Sequence, residues 1–115
     1  MHPETRATKI PKKVKDAVRK RDGGRCILCG RPGDPHCHVV RRSAGGMGIE
    51  PNIVTLCCRC HYTFDEGLYM RDMEPLGFHS RAEIKEFIYE YMEGRYPGWT
   101  PEKVTYRKWR ESDAE

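Results

Sequence analysis

Two cysteine pairs stand out by their spacing, Cys26-Ile27-Leu28-Cys29 and Cys57-Cys58-Arg59-Cys60. A Cys-x-x-Cys turn holds two thiolates close enough for one ion. Two such turns complete the tetrahedral four-thiolate shell that zinc prefers. A thioredoxin-like redox pair or disulfides would use the same residue type, but neither explains two matched pairs with a hairpin-sized spacer. A structural zinc on Cys26, Cys29, Cys57 and Cys60 is therefore expected, and its binding contributes directly to folding. Cys37 and Cys58 are left over from the six cysteines.

The segment between and just after the pairs is rich in groups that can move protons or hold cations. It contains His36-Cys37-His38, Arg41-Arg42, Asn52 before an apolar run, and His61 directly after Cys60. Imidazole, with an ordinary pKa of about 6.5, can accept a proton from water at neutral pH. Asp65 follows His61 by four residues, so on a helix both side chains share one face and can reach one ion. The plain alternative for Asp65 is a solvated acid near a helix end. Arg41 and Arg42 directly follow the strand expected around His36–Val40; guanidinium binds phosphate bidentately, against the simpler reading of surface charge.

The order His38, Asn52, His61, bracketed by Cys-x-x-Cys pairs, resembles the HNH endonuclease family over residues 26–67. The stretch Gly45-Gly46-Met47-Gly48-Ile49-Glu50-Pro51-Asn52-Ile53-Val54-Thr55-Leu56-Cys57 is most similar to small phage and prophage HNH proteins. The resemblance implies a ββα-metal finger that hydrolyses DNA phosphodiesters, by nicking or with low specificity. It assigns His38 as general base, Asn52 as its orienting residue and His61 as ligand to a catalytic divalent metal, with magnesium, manganese, zinc and nickel as candidates. It further implies phage DNA packaging, with a large terminase subunit as partner. One position departs from the family. Many members place His or Asp immediately before the catalytic histidine, where this chain has Cys37. A thiolate is a poor ligand for magnesium but a fair one for zinc, nickel or cobalt. Either His36 or Cys37 could complete the site, or Cys37 could simply pack. A zinc-finger module that binds nucleic acid without cutting it is the alternative reading of the whole constellation.

These groups need elements to hold them. The chain has 115 residues, 33% of them charged, which suits one small α+β domain that gains from a metal staple. Residues 1–10 read as a flexible arm, disordered or loosely docked, 11–110 as a single domain and 111–115 as a tail. Pro11 opens a helix in which Val14, Ala17 and Val18 form one apolar stripe, and Gly23-Gly24 stop it. Its other face is basic, and Lys12, Lys13, Lys15, Arg19 and Lys20 are candidates for phosphate contact, against a merely solvated face. Short strands are expected around His36–Val40 and Ile53–Leu56, with a Gly-rich loop between them whose Ser43–Gly46 amides could approach phosphate. A helical turn follows from His61. Ser80 caps a helix that buries Ile84, Phe87, Ile88 and Tyr91 and ends at Gly94; a last short helix starts near Pro101. Trp99, Tyr106 and Trp109 read as closure of a small core rather than as base-stacking surfaces. No apolar run is long enough to span a bilayer and the first residues form no apolar signal core, so a cytoplasmic protein with no membrane partner is expected.

Overall fold

The computed structural model describes residues 3–66 and 81–106. The expected Ser80 cap, Trp109 and the 111–115 tail lie outside them. In chain order the elements are α1 (Pro3–Thr8), α2 (Lys12–Asp22), β1 (Asp34–His38), β2 (Ile53–Leu56), α3 (Cys58–Glu66) and α4 (Arg81–Arg95). Among the described residues, 3₁₀ turns also run over Arg42–Ala44, Glu50–Asn52 and Pro101–Val104. This is a small α+β fold whose two strands pair antiparallel.

Helix α2 starts where proline chemistry predicts. Pro11 sits at its N-cap in extended backbone. The helix ends on Gly23 at φ 69°, with Gly23 N–H donating to Lys20 O and Gly24 N–H to Arg19 O. That is the six-to-one and five-to-two bonding of a Schellman end, which needs a residue free to turn left-handed. Val18 is buried and Val14 and Ala17 partly so, which matches the predicted stripe.

The strand register pairs Asp34 with Leu56, Cys37 with Val54 and His38 with Ile53, with an irregularity between Asp34 and Cys37. Pro35 has no N–H to give a ladder, and it falls inside that irregularity. Beyond the bulge the strand alternates cleanly: Cys37 faces the core, while His36 and His38 face the other way. All four residues of β2 are buried, because α2 and α3 also pack against this strand. The core joins Cys37, Val54 and Leu56 to Phe64 of α3 and to Ile84, Ile88 and Met92 of α4, and Trp99 and Val104 close it.

Several expectations are corrected. The arm over residues 1–10 is helical over Pro3–Thr8 and docked at its end, where Thr8 is buried and Gly48 N–H donates to Ala7 O. The buried face of α4 is Ile84, Ile88 and Met92; Phe87 is 38% exposed and Tyr91 half-buried. Spacing of four residues places the three on one stripe, and Phe87 falls off it. The helix also runs one residue past Gly94, to Arg95.

The Gly-rich loop is packed, not open. A methyl group at Gly46 would overlap the Val40 carbonyl, and one at Gly48 the Lys9 carbonyl. Its amides are spent internally: Ala44 and Gly46 donate to Arg41 O, Gly45 to Arg42 O, and Met47 to Val104 O. The suggestion that Ser43–Gly46 amides approach phosphate is therefore corrected for Ala44, Gly45 and Gly46. Trp99 behaves as the core reading requires, since its Nε1–H donates to Pro51 O at 2.6 Å and its ring packs edge-on against Tyr89.

Candidate metal centre and cationic cleft

The four knuckle cysteines converge. One sulfur from each of Cys26, Cys29, Cys57 and Cys60 lies within 4.8 Å of the others, and the Cys29 and Cys57 sulfurs are 3.6 Å apart. Zinc–sulfur bonds of about 2.3 Å give a tetrahedron with edges of about 3.8 Å. The donor set and its spacing therefore fit zinc. The first knuckle is held by Cys26 N–H donating to Arg31 O and Gly30 N–H to Cys26 O, the second by the start of α3. The hydrogen bond from Cys60 lowers the pKa of the Cys26 thiol, and the same contact pushes that of Cys60 up.

A second group of possible ligands lies nearby. Cys37 Sγ, His61 and Asp65 each offer one atom, and these atoms lie within 4.8 Å of one another. His61 Nε2 sits 2.9 Å from Asp65 Oδ2, as their spacing on α3 predicts. Cys37 is fully buried, and burial holds its thiol well above the ordinary range. His36 is exposed and lies outside this group.

His61 and Asp65, but not the buried Cys37, border a cleft of about 620 Å³. Among the described residues, His36, His38 and His61 line it with Asp65 as the one carboxylate, and Lys9, Lys15, Arg41 and Arg42 surround them. Four permanent cations against one acid make a site for an anion. Arg41 is fixed by donating to the Asp65 backbone carbonyl, and Arg42 Nε lies 3.4 Å from Thr8 Oγ1.

His38 sits at the end of β1, half-buried, with Nε2 2.8 Å from the Thr8 carbonyl oxygen. A carbonyl only accepts, so Nε2 carries the proton and in the neutral ring Nδ1 is the nitrogen with a free lone pair. Burial lowers the His38 pKa, the Thr8 carbonyl opposes that shift, and the charge of Arg42 adds to it. The net effect favours the neutral, proton-accepting ring.

Asn52 does not touch the cleft. It is fully buried, with Oδ1 accepting from Val40 N–H at 2.8 Å and Nδ2 donating to Val40 O and Met47 O. Its backbone carbonyl accepts from Val39 N–H. All these bonds go to backbone, so Asn52 locks the chain just after His38 rather than holding the imidazole itself.

The α2 candidates divide. Lys15 lines the cleft. Lys12 and Arg19 both pair with Asp16 on the exposed face, and Lys13 is exposed outside the cleft lining. The spacing arguments missed Arg21 and Asp22, which bind each other bidentately at 2.8 and 3.0 Å. Arg21 also donates to Glu50 O, Ile53 O and Tyr96 Oη, while Asp22 accepts from Thr55 N–H and Tyr91 O–H. This network ties α2 to β2 and α4 and so fixes the scaffold behind the cleft.

Among known proteins, no family model matches the chain and no curated protein matches it. No helix among the described residues is long and apolar enough to cross a membrane.

Proposed function

We propose that this chain is a metal-dependent nuclease of the HNH type that hydrolyses DNA phosphodiesters. The observation that carries the reading is the sharing of one cationic cleft by His38, His61 and Asp65, with Nε2 of His38 already engaged by Thr8. His38 accepts at Nδ1 the proton that the attacking water loses. The water oxygen bonds to phosphorus as the bond to the 3′ oxygen breaks; that oxygen leaves with the bonding electrons and takes a proton from solvent. Arg41, Arg42, Lys9 and Lys15 hold the phosphate backbone, which gives affinity without reading sequence. His61 and Asp65 would hold a divalent ion, whose chemistry is to supply positive charge against the scissile phosphate. The four-cysteine cluster is a structural zinc site that keeps β2 and α3 beside the first knuckle. Preference for DNA, and a role in packaging beside a terminase, rest on the family resemblance alone.

The same cationic cleft would serve a zinc-stapled module that binds DNA without cutting it. Incubating supercoiled plasmid with the zinc-loaded chain and magnesium, manganese, cobalt or nickel separates the two. The nuclease reading expects nicked or linear product that His61→Ala abolishes while leaving DNA binding in place. Tight binding with no product under any of these metals would overturn it.

A further inference from the structure

Three consecutive residues of the N-terminal segment reach the cleft. The Thr8 carbonyl accepts from His38 Nε2–H at 2.8 Å, Thr8 Oγ1 lies 3.4 Å from Arg42 Nε, and Lys9 and Ile10 line the wall. Helix α1, which leads into them, has six residues and is too short to hold itself together in water. The body of the protein must therefore hold this segment, and Gly48 does so in two ways. Its N–H donates to Ala7 O at 2.9 Å. Its missing side chain also lets the chain come close: an ideal Cβ at Gly48 would sit 2.0 Å from the Lys9 carbonyl oxygen and 2.9 Å from Ile10 Cα. Those are backbone atoms, which cannot swing aside as the end of a side chain can. Gly48 is not among the glycines with positive φ, so close approach, and not a left-handed turn, is what requires glycine here.

We propose that Gly48 is a positioning residue for the general base. It latches residues 7–10 against the cleft, so that one docking step supplies both the carbonyl that holds the His38 ring and the Lys9 cation that meets the substrate phosphate. The catalytic half of this rests on reading His38 as the base; the latch itself does not. A neutral imidazole carries its proton on either nitrogen, and an acceptor fixed beside Nε2 selects one form and leaves Nδ1 open to water. A backbone carbonyl cannot be aimed by a rotamer, so its place depends on where the chain is held. On a loose segment it would spend part of its time hydrated, and the ring would exchange tautomers. Lys9 gains from the same restraint, because an ammonium on a fixed backbone has less freedom to lose when it meets phosphate.

Nitrogen NMR of isotope-labelled histidine in the zinc-loaded full chain reads the latch without any DNA. At mildly alkaline pH, where burial keeps His38 neutral, the wild-type ring should carry its proton on Nε2. Gly48→Ala should shift that ring towards a mixture of the two tautomers, with zinc content unchanged. Trypsin cleavage after Arg6 and Lys9 should quicken by roughly tenfold, the upper end of what one lost backbone hydrogen bond costs. Lys9→Ala, which keeps the backbone at this position, should leave the ring as in wild type. On plasmid with a supporting metal, Gly48→Ala should lower kcat by roughly 10–100-fold, part of the ~10²–10⁴ that a general base contributes. Adding Lys9→Ala to it should raise KM far less than Lys9→Ala does in wild type, since the two changes undo one docking step. Should Gly48→Ala lose its zinc, deletion of residues 1–7, which takes away the Ala7 carbonyl and keeps Thr8 and Lys9, decides in its place with the same expected shift of the ring. The proposal is overturned if the wild-type ring carries its proton on Nδ1, if the His38 ring of Gly48→Ala matches wild type, or if its arm is cut no faster. A ring and an arm that respond as described, with no cleavage by wild type under any metal, would sink the nuclease reading alone; cleavage that Gly48→Ala performs at the full wild-type rate would sink the latch alone.

Discussion

His38 Nε2 donates to the carbonyl oxygen of Thr8 at 2.8 Å, across a sequence separation of thirty residues. That bond sets the tautomer of the proposed base from a segment that, on sequence alone, reads as a disordered or loosely docked arm. It also gives residues 1–10 a task. Removing residues 1–9 should lower plasmid cleavage by roughly 10–100-fold, part of the ~10²–10⁴ that a general base contributes. Zinc content should not change. Lys9→Ala serves as the control for the lost cleft charge. Cleavage by the truncated chain equal to that of Lys9→Ala would show that Thr8 does not position the imidazole.

Zinc should be a condition of folding. Apparent zinc-binding energies of about 10–16 kcal/mol in zinc-finger peptides match or exceed the whole stability of an ordinary small domain, about 5–15 kcal/mol. At least one tightly held zinc per chain, in the four-cysteine cluster, is expected by elemental analysis. A strong chelator should abolish the cooperative thermal transition seen by circular dichroism. A metal-stripped chain that melts as the loaded one does would remove the staple from the account.

The Arg21–Asp22 pair should be visible in acid. Burial by itself would raise the Asp22 pKa, but hydrogen bonds from Arg21, Tyr91 and the Thr55 amide outweigh it and hold the carboxyl below its ordinary value. Between the folded and unfolded pKa values the unfolded chain binds more protons, so stability rises with pH there. The contribution is complete above the unfolded value of about 3.9 and is lost as pH falls through the folded one. The cysteine cluster also loses its ion in acid, so the difference from Asp22→Ala is the quantity to measure. At neutral pH this variant should cost about 3–5 kcal/mol by urea denaturation, since it leaves the Arg21 charge buried without its partner. That gap should narrow below pH 4 or so. A gap that stays constant with pH would mean the pair makes no charge-dependent contribution.

Asn52 should act through stability before chemistry. Its side chain satisfies Val40 N–H and two carbonyls inside the fold. Asn52→Ala strands these groups at about 1–3 kcal/mol for each buried polar atom left unpaired. The expected outcome is a lowered denaturation midpoint together with lost cleavage, because the chain that follows His38 is no longer held. Lost cleavage with an unchanged midpoint would instead mean that Asn52 acts on the reaction directly.

The parts of this molecule that are legible in the sequence are the local ones. Cys26, Cys29, Cys57 and Cys60 announce themselves because each pair needs only one tight turn. His61 and Asp65 follow from the period of a helix. What escaped is tertiary. Arg21 and Asp22 look like any solvated ion pair on a basic helix, and only the arrival of β2 and α4 buries them. The glycines of the 45–48 loop look flexible, but all three are close-approach positions, against the backbone of Tyr106, Val40 and Lys9. His36 and Cys37 could not be separated by reading, since the choice depends on strand register and on which side α3 packs. The Thr8 partner of His38 carries no local signal, because a backbone carbonyl is the same at every residue.

The most direct test of the central claim is the rate at which zinc-loaded wild type and His38→Ala cleave supercoiled plasmid, measured at matched DNA occupancy with each supporting metal. Loss of about 10²–10⁴-fold in the variant, with zinc content and DNA affinity preserved, is the predicted result. A variant that cuts as fast as wild type would contradict His38 as the general base.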